Sequence, residues 1–473
     1  MAKNSVLKKI LSLFSISLVA QIVSLAVSVV MILYTPRHVG VENYGYWQLY
    51  LMLASFVGFF HLGFNDGIYL RQGGKTYEEL DRSSIKTQMS IVFAFEYLIG
   101  FGMLLYGILS KSDANKSFVW IGVAIYLMLV LPYSLFSYIL QACGRVQWYS
   151  YSVIFERAVF LIALVVGIRC GLDRFQYLIA LDLGSRFLSF AFLLIVCRKI
   201  VFAKFAAFRP AMREVFANIG VGIKLMLSNI ASSLIIAVGR IMIERAWGIE
   251  TFGKISLSIS LANYLIVFLT ALSIVLFPIL RTLDRENARK IYHIARTVFM
   301  ILIAIAMLAY VPMRWVLEKL LPQYADGLQY LAILFPMCLF EARLQLVSVT
   351  YLKVYRKENG MLLLNVISLA ISAALCSITV FALKSLNWTV IAILVAIAVR
   401  SVLFDWYAER VVGVRYTVNG IAEIVLGIVF SATAWYIGGW KSALIYAAVL
   451  AGYLCWNIPN VKKVVRNLKE LRS

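Results

Sequence analysis

Long apolar runs separated by short polar clusters dominate this chain of 473 residues. An apolar run of this kind is typical of a membrane-spanning helix, because about 20 residues cross a hydrocarbon core of about 30 Å. With glycine, proline and charge clusters as boundaries, the runs give fourteen predicted spans. The pattern therefore predicts an all-α integral membrane protein, with spans at 9–35, 44–70, 87–110, 117–142, 148–169, 175–198, 218–243, 252–280, 294–317, 327–352, 360–383, 388–412, 418–437 and 441–460.

The first apolar run follows three lysines, as the apolar part of a signal peptide would. It extends from Lys9 to about Tyr34, however, whereas the apolar region of a signal peptide has only about 7–15 residues. We therefore interpret this run as an uncleaved first span.

Composition agrees with this interpretation, and the distribution of charge adds an orientation. The chain is 62% hydrophobic and 14% charged, whereas soluble domains contain about 25% charged residues. With the amino terminus in the cytoplasm, 28 lysines and arginines fall in inside segments and 11 in outside loops. Such an excess marks the cytoplasmic side, so both termini are predicted to lie there. The net charge of +22 then indicates attraction to anionic membrane lipids and not to nucleic acid.

The sequence gives no sign of metal or catalytic chemistry. Its six cysteines form no C-x-x-C pair, and its three histidines lack the spacing of metal ligands, so we expect neither a metal nor a cofactor. The predicted outside loops are short. A membrane glycosyltransferase or ligase, which needs a sizeable external loop around its catalytic site, is the less favoured alternative, and we expect no enzymatic activity.

A short turn occurs twice along the chain. "HVGVENYGYW" begins at His38 and "AWGIETFGKI" at Ala246, and both contain G-[VI]-E-x-[YF]-G at an offset of 208 residues. Glycine adopts positive φ readily, so we interpret these glycines as structural, with direct ligand contact as the weaker alternative. The four glycines are Gly40, Gly45, Gly248 and Gly253.

A second match supports a duplication. Residues 126–141 align with 330–345 at an offset of 204, with seven of sixteen positions identical. A repeat of six spans enters the membrane twice from the same side, and paired halves of this kind enclose a substrate site. We therefore predict two parallel six-helix lobes that rock about a central cavity. The predicted parts are an N-lobe at 1–200, a cytoplasmic linker at 201–217, a C-lobe at 218–412, and two further spans with a basic tail at 413–473.

Charged side chains inside predicted spans are functional candidates, because each costs about 2.5–3.5 kcal/mol to insert. One interpretation is a water-filled, net cationic cavity that binds an anionic headgroup; the other is structural ion pairs, with snorkelling near span ends. Residues 182 and 186 are four apart and can pair, whereas 341 and 343 must each reach another helix. The candidates are the basic residues Arg157, Arg186, Lys224, Arg240, Arg343 and Arg400, and the acidic residues Asp66, Glu96, Glu156, Asp182 and Glu341, which are also the candidates for ion coupling. A further acidic residue, Asp405, lies nearer the end of its predicted span.

The stretch from Arg37 to Arg71 resembles the amino-terminal signature of bacterial polysaccharide flippases, the O-antigen and capsule transporters of the multidrug/oligosaccharidyl-lipid/polysaccharide exporter superfamily. The "QACGRVQWY" turn with Arg145 is also similar. Members often carry an aspartate–arginine pair in the seventh helix, where this chain has Gly239 and Arg240, which puts the role of that aspartate in doubt. The matching residues are Gly40, Tyr44, Gly45, Leu62, Gly63, Phe64 and Arg71.

The resemblance implies a transporter of the bacterial cytoplasmic membrane that moves a polyprenyl-diphosphate-linked oligosaccharide outward by alternating access. It also implies partners among the polysaccharide polymerase and chain-length machinery. A peptidoglycan-precursor (lipid II) flippase and a multidrug exporter of the same superfamily are the alternatives. The driving force is left open between the membrane potential, H⁺ antiport and Na⁺ antiport.

Overall fold

Helices form the whole of the regular structure in the computed structural model, which describes residues 2–110, 113–282, 285–414 and 417–470. No strand occurs within these ranges, which confirms the predicted all-α class. A helix satisfies its own backbone groups, as a chain in a bilayer must. The chain folds into two compact units, Met1–Ile230 and Ala231–Ser473. The predicted boundaries at 201–217 and 413 stay predictions.

Among the described residues, the first unit contains seven helices of nine or more residues, a short helix at Arg198–Val201 and the beginning of a further long helix. Aspartate caps explain where two of them start: the Asp81 carboxylate accepts from the Ser84 N–H, and the Asp113 carboxylate accepts from the Asn115 and Lys116 N–H groups. The helices are α1 (Ala2–His38), α2 (Val41–Val57), α3 (Phe64–Gln72), α4 (Arg82–Leu109), α5 (Ala114–Ala142), α6 (Val146–Arg169) and α7 (Phe175–Val196).

The second predicted span is broken. After α2, a single turn of 3₁₀ helix at Gly58–His61 leads to Leu62 and Gly63, both left-handed with φ of 51° and 79°. The two halves bend by 56° at this point. Glycine takes this conformation without strain, whereas a leucine held there costs on the order of 1–3 kcal/mol, so the surrounding structure must enforce it.

One long helix, α8 (Phe208–Thr282), holds both the seventh and the eighth predicted spans. Its only non-helical residue is Gly248, with φ 81° and ψ 177°. By length and composition the described residues contain 12 candidate membrane spans, or up to 13 with the bent pair counted as one. The count of fourteen is therefore not confirmed.

The two copies of the repeated turn differ in conformation. Gly248 has the positive φ that favours glycine, whereas Gly40 has φ −57° and precedes α2. Gly45 and Gly253 are buried inside helices. The first copy thus joins two helices, and the second kinks one.

Among the described residues, the second unit contains the remainder of α8, six further helices of 20 or more residues and a short helix at Ala325–Gln329. Its most enclosed helix is α10, in which 94% of the residues in an apolar stretch of 18 are buried. The same helix contains a π-helical turn at Leu344–Val349. Such burial requires protein neighbours on every face, and this helix carries two of the predicted charges. The helices are α9 (Glu286–Leu320), α10 (Leu331–Val354), α11 (Glu358–Ala382), α12 (Leu386–Val412), α13 (Thr417–Tyr436) and α14 (Gly439–Glu470).

Candidate functional site

A cluster of charges lies between α6 and α7 in the first unit. The Arg186 Nε donates to Asp182 Oδ2 at 2.8 Å, one helical turn away, which confirms the pairing predicted from their spacing. The Arg186 Nη1 lies 3.2 Å from Glu156 Oε1 on α6. One guanidinium thus holds two carboxylates that would otherwise repel each other.

Tyrosines complete the surroundings of Arg186. The Tyr50 hydroxyl on α2 donates to Asp182 Oδ2 at 2.7 Å, which fixes the carboxylate from its other side. The Arg186 guanidinium lies 4.6 Å from the centre of the Tyr126 ring on α5, a cation–π distance. The Arg186 side chain nevertheless keeps 15% of its surface exposed. The group is therefore held in place and still reachable.

Arg157 belongs to the same cluster. It is half-buried beside Glu156, and it interacts electrostatically with Tyr126, as Arg186 does. Its Nε is buried and has no hydrogen-bond partner among the described residues. The two arginines balance the two carboxylates, so the cluster is electrically neutral, but Arg157 has donor capacity left for an anion.

In the second unit, Arg400 on α12 is buried and fully engaged. Its Nη1 donates to Glu341 Oε1 at 2.9 Å, its Nε donates to Asn365 Oδ1 at 3.0 Å, and its Nη2 donates to the Ser232 hydroxyl. Only 4% of Arg400 is exposed. It can bind a headgroup only if it exchanges these partners.

Four further charges form a buried network. The Arg296 Nη1 donates to Glu423 Oε1 at 2.7 Å and its Nη2 to Asp405 Oδ2 at 3.0 Å. The Arg343 Nη1 donates to Glu423 Oε2 at 2.9 Å. These side chains, from α9, α10, α12 and α13, are between 1% and 7% exposed. Their charges cancel, and the network ties the thirteenth predicted span to the core of this unit.

Two members of this network were missed from the sequence. Arg296 lies only two residues inside the predicted ninth span, where basic residues are typical of the cytoplasmic end. Glu423 is the only charged residue of the predicted span 418–437. An isolated acid in a span requires a cation on another helix, so the sequence carried a signal for this contact.

The other candidates are dispersed. Lys224 is exposed, and Arg240 donates from its Nε to Ser256 Oγ at 3.2 Å and lies 5.1 Å from the Phe252 ring centre. Glu96 on α4 is 1% exposed, and its Oε2 has no hydrogen-bond partner among the described residues. The structure does not bring these three residues into either cluster.

The L-G-F signature has a structural explanation within the first unit. A Cβ on Gly63 would lie 2.5 Å from the Gly222 backbone on α8, and one on Gly67 would lie 2.0 Å from the Asn218 carbonyl oxygen. Small residues four apart allow this approach of two backbones. At the end of α3, the Arg71 Nη1 lies 2.8 Å from Glu214 Oε2 and donates to Asn218 Oδ1 at 2.8 Å. Gly63 and Gly67 thus allow α3 to pack closely on α8, and Arg71 stabilises this contact through its hydrogen bond and ion pair.

Two further observations concern other sites. A cavity of about 690 Å³ in the second unit lies between α12 and α13 and is almost entirely apolar, and no predicted site residue lines it. Among the described residues, no group of three or more histidine, cysteine, aspartate or glutamate side chains could hold a metal ion.

Comparison with solved structures identifies the fold. The lipid II flippase MurJ in an inward closed conformation superposes with a TM-score of 0.66 over 96% of this chain and 100% of that chain, at 13% sequence identity. An inward-facing multidrug resistance MATE family transporter of the MOP superfamily superposes with a TM-score of 0.62 over 83% of this chain and 98% of that chain, at 12% identity. At such identities the likeness concerns the fold alone.

Sequence comparison identifies the family. No curated protein matches the chain. The profile of a family described as "Polysaccharide biosynthesis protein" matches residues 6–284, which is more than half of the sequence. This multi-pass membrane protein, with the fold of a MOP-superfamily transporter, belongs to the polysaccharide biosynthesis protein family.

Proposed function

We propose that the protein is a flippase that moves a polyprenyl-diphosphate-linked oligosaccharide from the cytoplasmic to the outer face of the bacterial cytoplasmic membrane. The family and the transporter fold support the general class. The observation that carries the proposal is the pair of arginines in the first unit, Arg157 and Arg186, which lie within membrane helices and are only partly buried.

A diphosphate-linked sugar cannot cross hydrocarbon unaided, because its polar groups would lose water without compensation. A guanidinium offsets this loss, since its planar fork donates two hydrogen bonds to phosphate oxygens. Arg157 is only partly buried and its Nε has no hydrogen-bond partner among the described residues, so Arg157 can donate to the headgroup first. Arg186 then exchanges one of its two carboxylates for a phosphate oxygen.

The carboxylates of the cluster suit release as well as binding. When the headgroup leaves, Asp182 and Glu156 recapture Arg186, at the distances of 2.8 and 3.2 Å found in this conformation. A site of permanently unpaired arginines would hold a diphosphate too tightly to let it go. The balanced cluster instead makes binding an exchange between anions, which fits a carrier that must load and unload.

Arg343 and Arg400 have weaker support as headgroup ligands in this conformation. Both are buried, and each already donates to a carboxylate. We propose that they contribute when α10 and α12 rearrange during alternating access. Arg240 and Lys224 have a smaller part in the proposal, because Arg240 donates to Ser256 and lies over the Phe252 ring, and Lys224 is exposed.

The membrane potential can give the transport its direction. With the interior negative, moving about two negative charges outward is favoured by roughly 4–5 kcal/mol per 100 mV. Antiport of H⁺ or Na⁺ through Glu96, Asp182, Glu341, Asp66 or Glu156 is the alternative. Vesicles with no ion gradient separate the two, when export is compared with and without an imposed potential. An export rate that the potential leaves unchanged would contradict the potential-driven version.

The test uses the full chain in proteoliposomes with a fluorescent polyprenyl-diphosphate oligosaccharide on one leaflet. We expect Arg186→Ala to lower the translocation rate at least tenfold, because it removes the fork that replaces phosphate hydration. Arg157→Ala should act in the same direction, and Arg186→Lys should recover only part of the rate, since an ammonium lacks the planar fork.

Arg314→Ala is the matched control. Arg314 belongs to the other unit, pairs with Glu318 at 2.7 Å and is partly exposed, so its loss should leave translocation unchanged. Wild-type rates in both Arg157→Ala and Arg186→Ala would contradict the assignment. Transport of lipid II or of a cationic drug, without transport of the oligosaccharide, would contradict the proposed substrate and favour one of the two alternative transporters.

A further inference from the structure

Two titratable side chains flank the break in the second span. His61 ends the 3₁₀ turn before the break, and Asp66 lies in the first turn of α3 after it. The His61 Nε2 is 3.9 Å from Asp66 Oδ2, and the two side chains are 11% and 16% exposed. Neither side chain is completely buried.

A backbone contact fixes the state of the imidazole. The Gly63 N–H donates to His61 Nδ1 at 2.9 Å. Because Nδ1 accepts a hydrogen bond, it cannot carry a proton, and the neutral ring bears its hydrogen on Nε2, toward Asp66. In this conformation His61 is therefore neutral, and it acts as the cap of the helix break.

Among the described residues, Asp66 forms an ion pair with no lysine or arginine, and His61 is its only partner of this kind. From α5, the Tyr138 phenol interacts electrostatically with it. From α8, Gly222 faces it, with a hypothetical Cβ 3.0 Å from the Asp66 Cβ, and Lys224 two residues further on is exposed.

We propose that His61 and Asp66 bind one proton as a pair, and that this proton opens the break in the second span. With Asp66 ionised and His61 neutral, the pair carries one uncompensated negative charge inside the membrane region. Adding a proton removes this net charge, and on His61 the proton forms an imidazolium that lies 3.9 Å from the Asp66 carboxylate. This inference rests on the proposed function only for its consequence in transport.

The proton changes the structure because of where it binds. On Nδ1 it turns an acceptor into a donor that faces the Gly63 N–H, so the cap is lost, while the imidazolium is stabilised by the Asp66 carboxylate. Leu62 and Gly63, both left-handed, then lose one of the contacts that hold their conformation. Gly63 packs directly on the backbone of Gly222 and Ile223, so the change reaches α8.

The chain is well suited to a direct measurement, because it contains only three histidines. The full-length protein, labelled with ¹⁵N-histidine in lipid nanodiscs, is titrated by NMR, and His61→Asn identifies the His61 signals by their loss. Hydrogen exchange of residues 58–72 is followed over the same pH range, after correction for the intrinsic pH dependence. We expect the His61 ring to become doubly protonated at the same pH at which the Gly63 N–H loses protection.

His61→Asn is also the matched variant. An asparagine oxygen can accept from the Gly63 N–H but cannot take up a proton, so it keeps the cap and should abolish the pH response. His61→Phe removes the cap and should expose Gly63 at every pH. Asp66→Asn should shift His61 protonation to lower pH, because the imidazolium loses its carboxylate.

Three results would overturn the proposal: a pH response in His61→Asn equal to that of the wild type, His61 protonation without loss of Gly63 protection, or no effect of Asp66→Asn. None of these measurements involves a transported lipid. Loss of translocation in Arg186→Ala with an intact His61 titration would separate the proton site from the headgroup site.

Discussion

One interhelical contact in each unit shows two different ways of holding helices together. In the first unit, α3 and α8 meet backbone to backbone, through glycines at 63, 67 and 222. In the second unit, helices α9, α10, α12 and α13 are joined by two arginines and two carboxylates that are almost completely buried. Close packing of small residues is sensitive to volume, whereas an ionic network is sensitive to charge balance.

The repeated segments show where this difference enters the sequence. The shared positions Phe136 on α5 and Phe340 on α10 are both buried. At the neighbouring matched positions, Ser137 and Ile139 of the first copy correspond to Glu341 and Arg343 of the second. The apolar positions that the two copies share are thus buried in both helices. The charged residues Glu341 and Arg343 occur in the second copy alone, and there they join α10 to its neighbours through ion pairs.

The largest effect is expected from Glu423→Ala. This change leaves Arg296 and Arg343 with Asp405 as their remaining carboxylate in the network, in a site that is about 1% exposed at Glu423. Removing one partner of a buried pair costs about 3–5 kcal/mol, because the other charge remains desolvated. Thermal unfolding in detergent should show a large fall in the midpoint temperature.

Charge balance can be separated from packing in the same experiment. Adding Arg343→Met to Glu423→Gln removes one charge of each sign and should restore most of the lost stability. Glu318→Ala, which breaks the partly exposed pair with Arg314 in the same unit, should have a much smaller effect. If Glu423→Gln alone and Glu423→Gln with Arg343→Met lowered the midpoint temperature equally, charge balance would not hold this network together.

The next effect concerns the glycine contact. Gly67→Ala would put a Cβ 2.0 Å from the Asn218 carbonyl oxygen, which belongs to the backbone of α8 and cannot rotate away. Helix α3 must then move outward, and overpacking of this kind costs about 1–3 kcal/mol, or more where the neighbour is rigid. Unfolding of the purified protein should shift accordingly, with α3 as the first segment to gain hydrogen exchange.

Gly102 provides the comparison within the same unit. It lies in α4, is exposed, and has open space where a Cβ would point. Gly102→Ala should stabilise the helix by about 0.5–1 kcal/mol, since alanine loses less backbone entropy on folding. If both substitutions had the same effect, the approach of α3 to α8 would not depend on the missing Cβ at Gly67.

Sequence reasoning recovered the features that depend on periodicity and spacing. Long apolar runs identified the membrane helices, and the i, i+4 spacing identified the pair of Asp182 and Arg186. It also implied that Glu341 and Arg343 reach separate helices, as they do, toward Arg400 and Glu423. Each of these follows from helix geometry alone.

The break in the second span could not be predicted in the same way. The apolar pattern continues through Leu62, and hydropathy does not register a left-handed φ. The contact of Gly63 with α8 joins residues about 160 positions apart, so only the folded backbone reveals why alanine would not fit. Likewise, Arg296 looked like a loop residue until α12 and α13 supplied its partners.

The smallest effect is expected at the surface of the first unit, where Arg145 contacts the loop before α4. Its Nη2 lies 2.6 Å from Glu78 Oε1, with 34% and 61% of the two side chains exposed, and its guanidinium lies 4.3 Å from the Tyr77 ring centre. Burial raises the pKa of the Tyr77 phenol, so the ring stays neutral and keeps its attraction for the cation.

Glu78→Gln should cost no more than about 1 kcal/mol, since an exposed ion pair is screened by water and salt. Tyr77→Leu should cost more, because it removes the stacking surface that Glu78→Gln leaves intact. A larger loss from Glu78→Gln than from Tyr77→Leu would mean that an exposed ion pair, and not the buried ring, holds this loop.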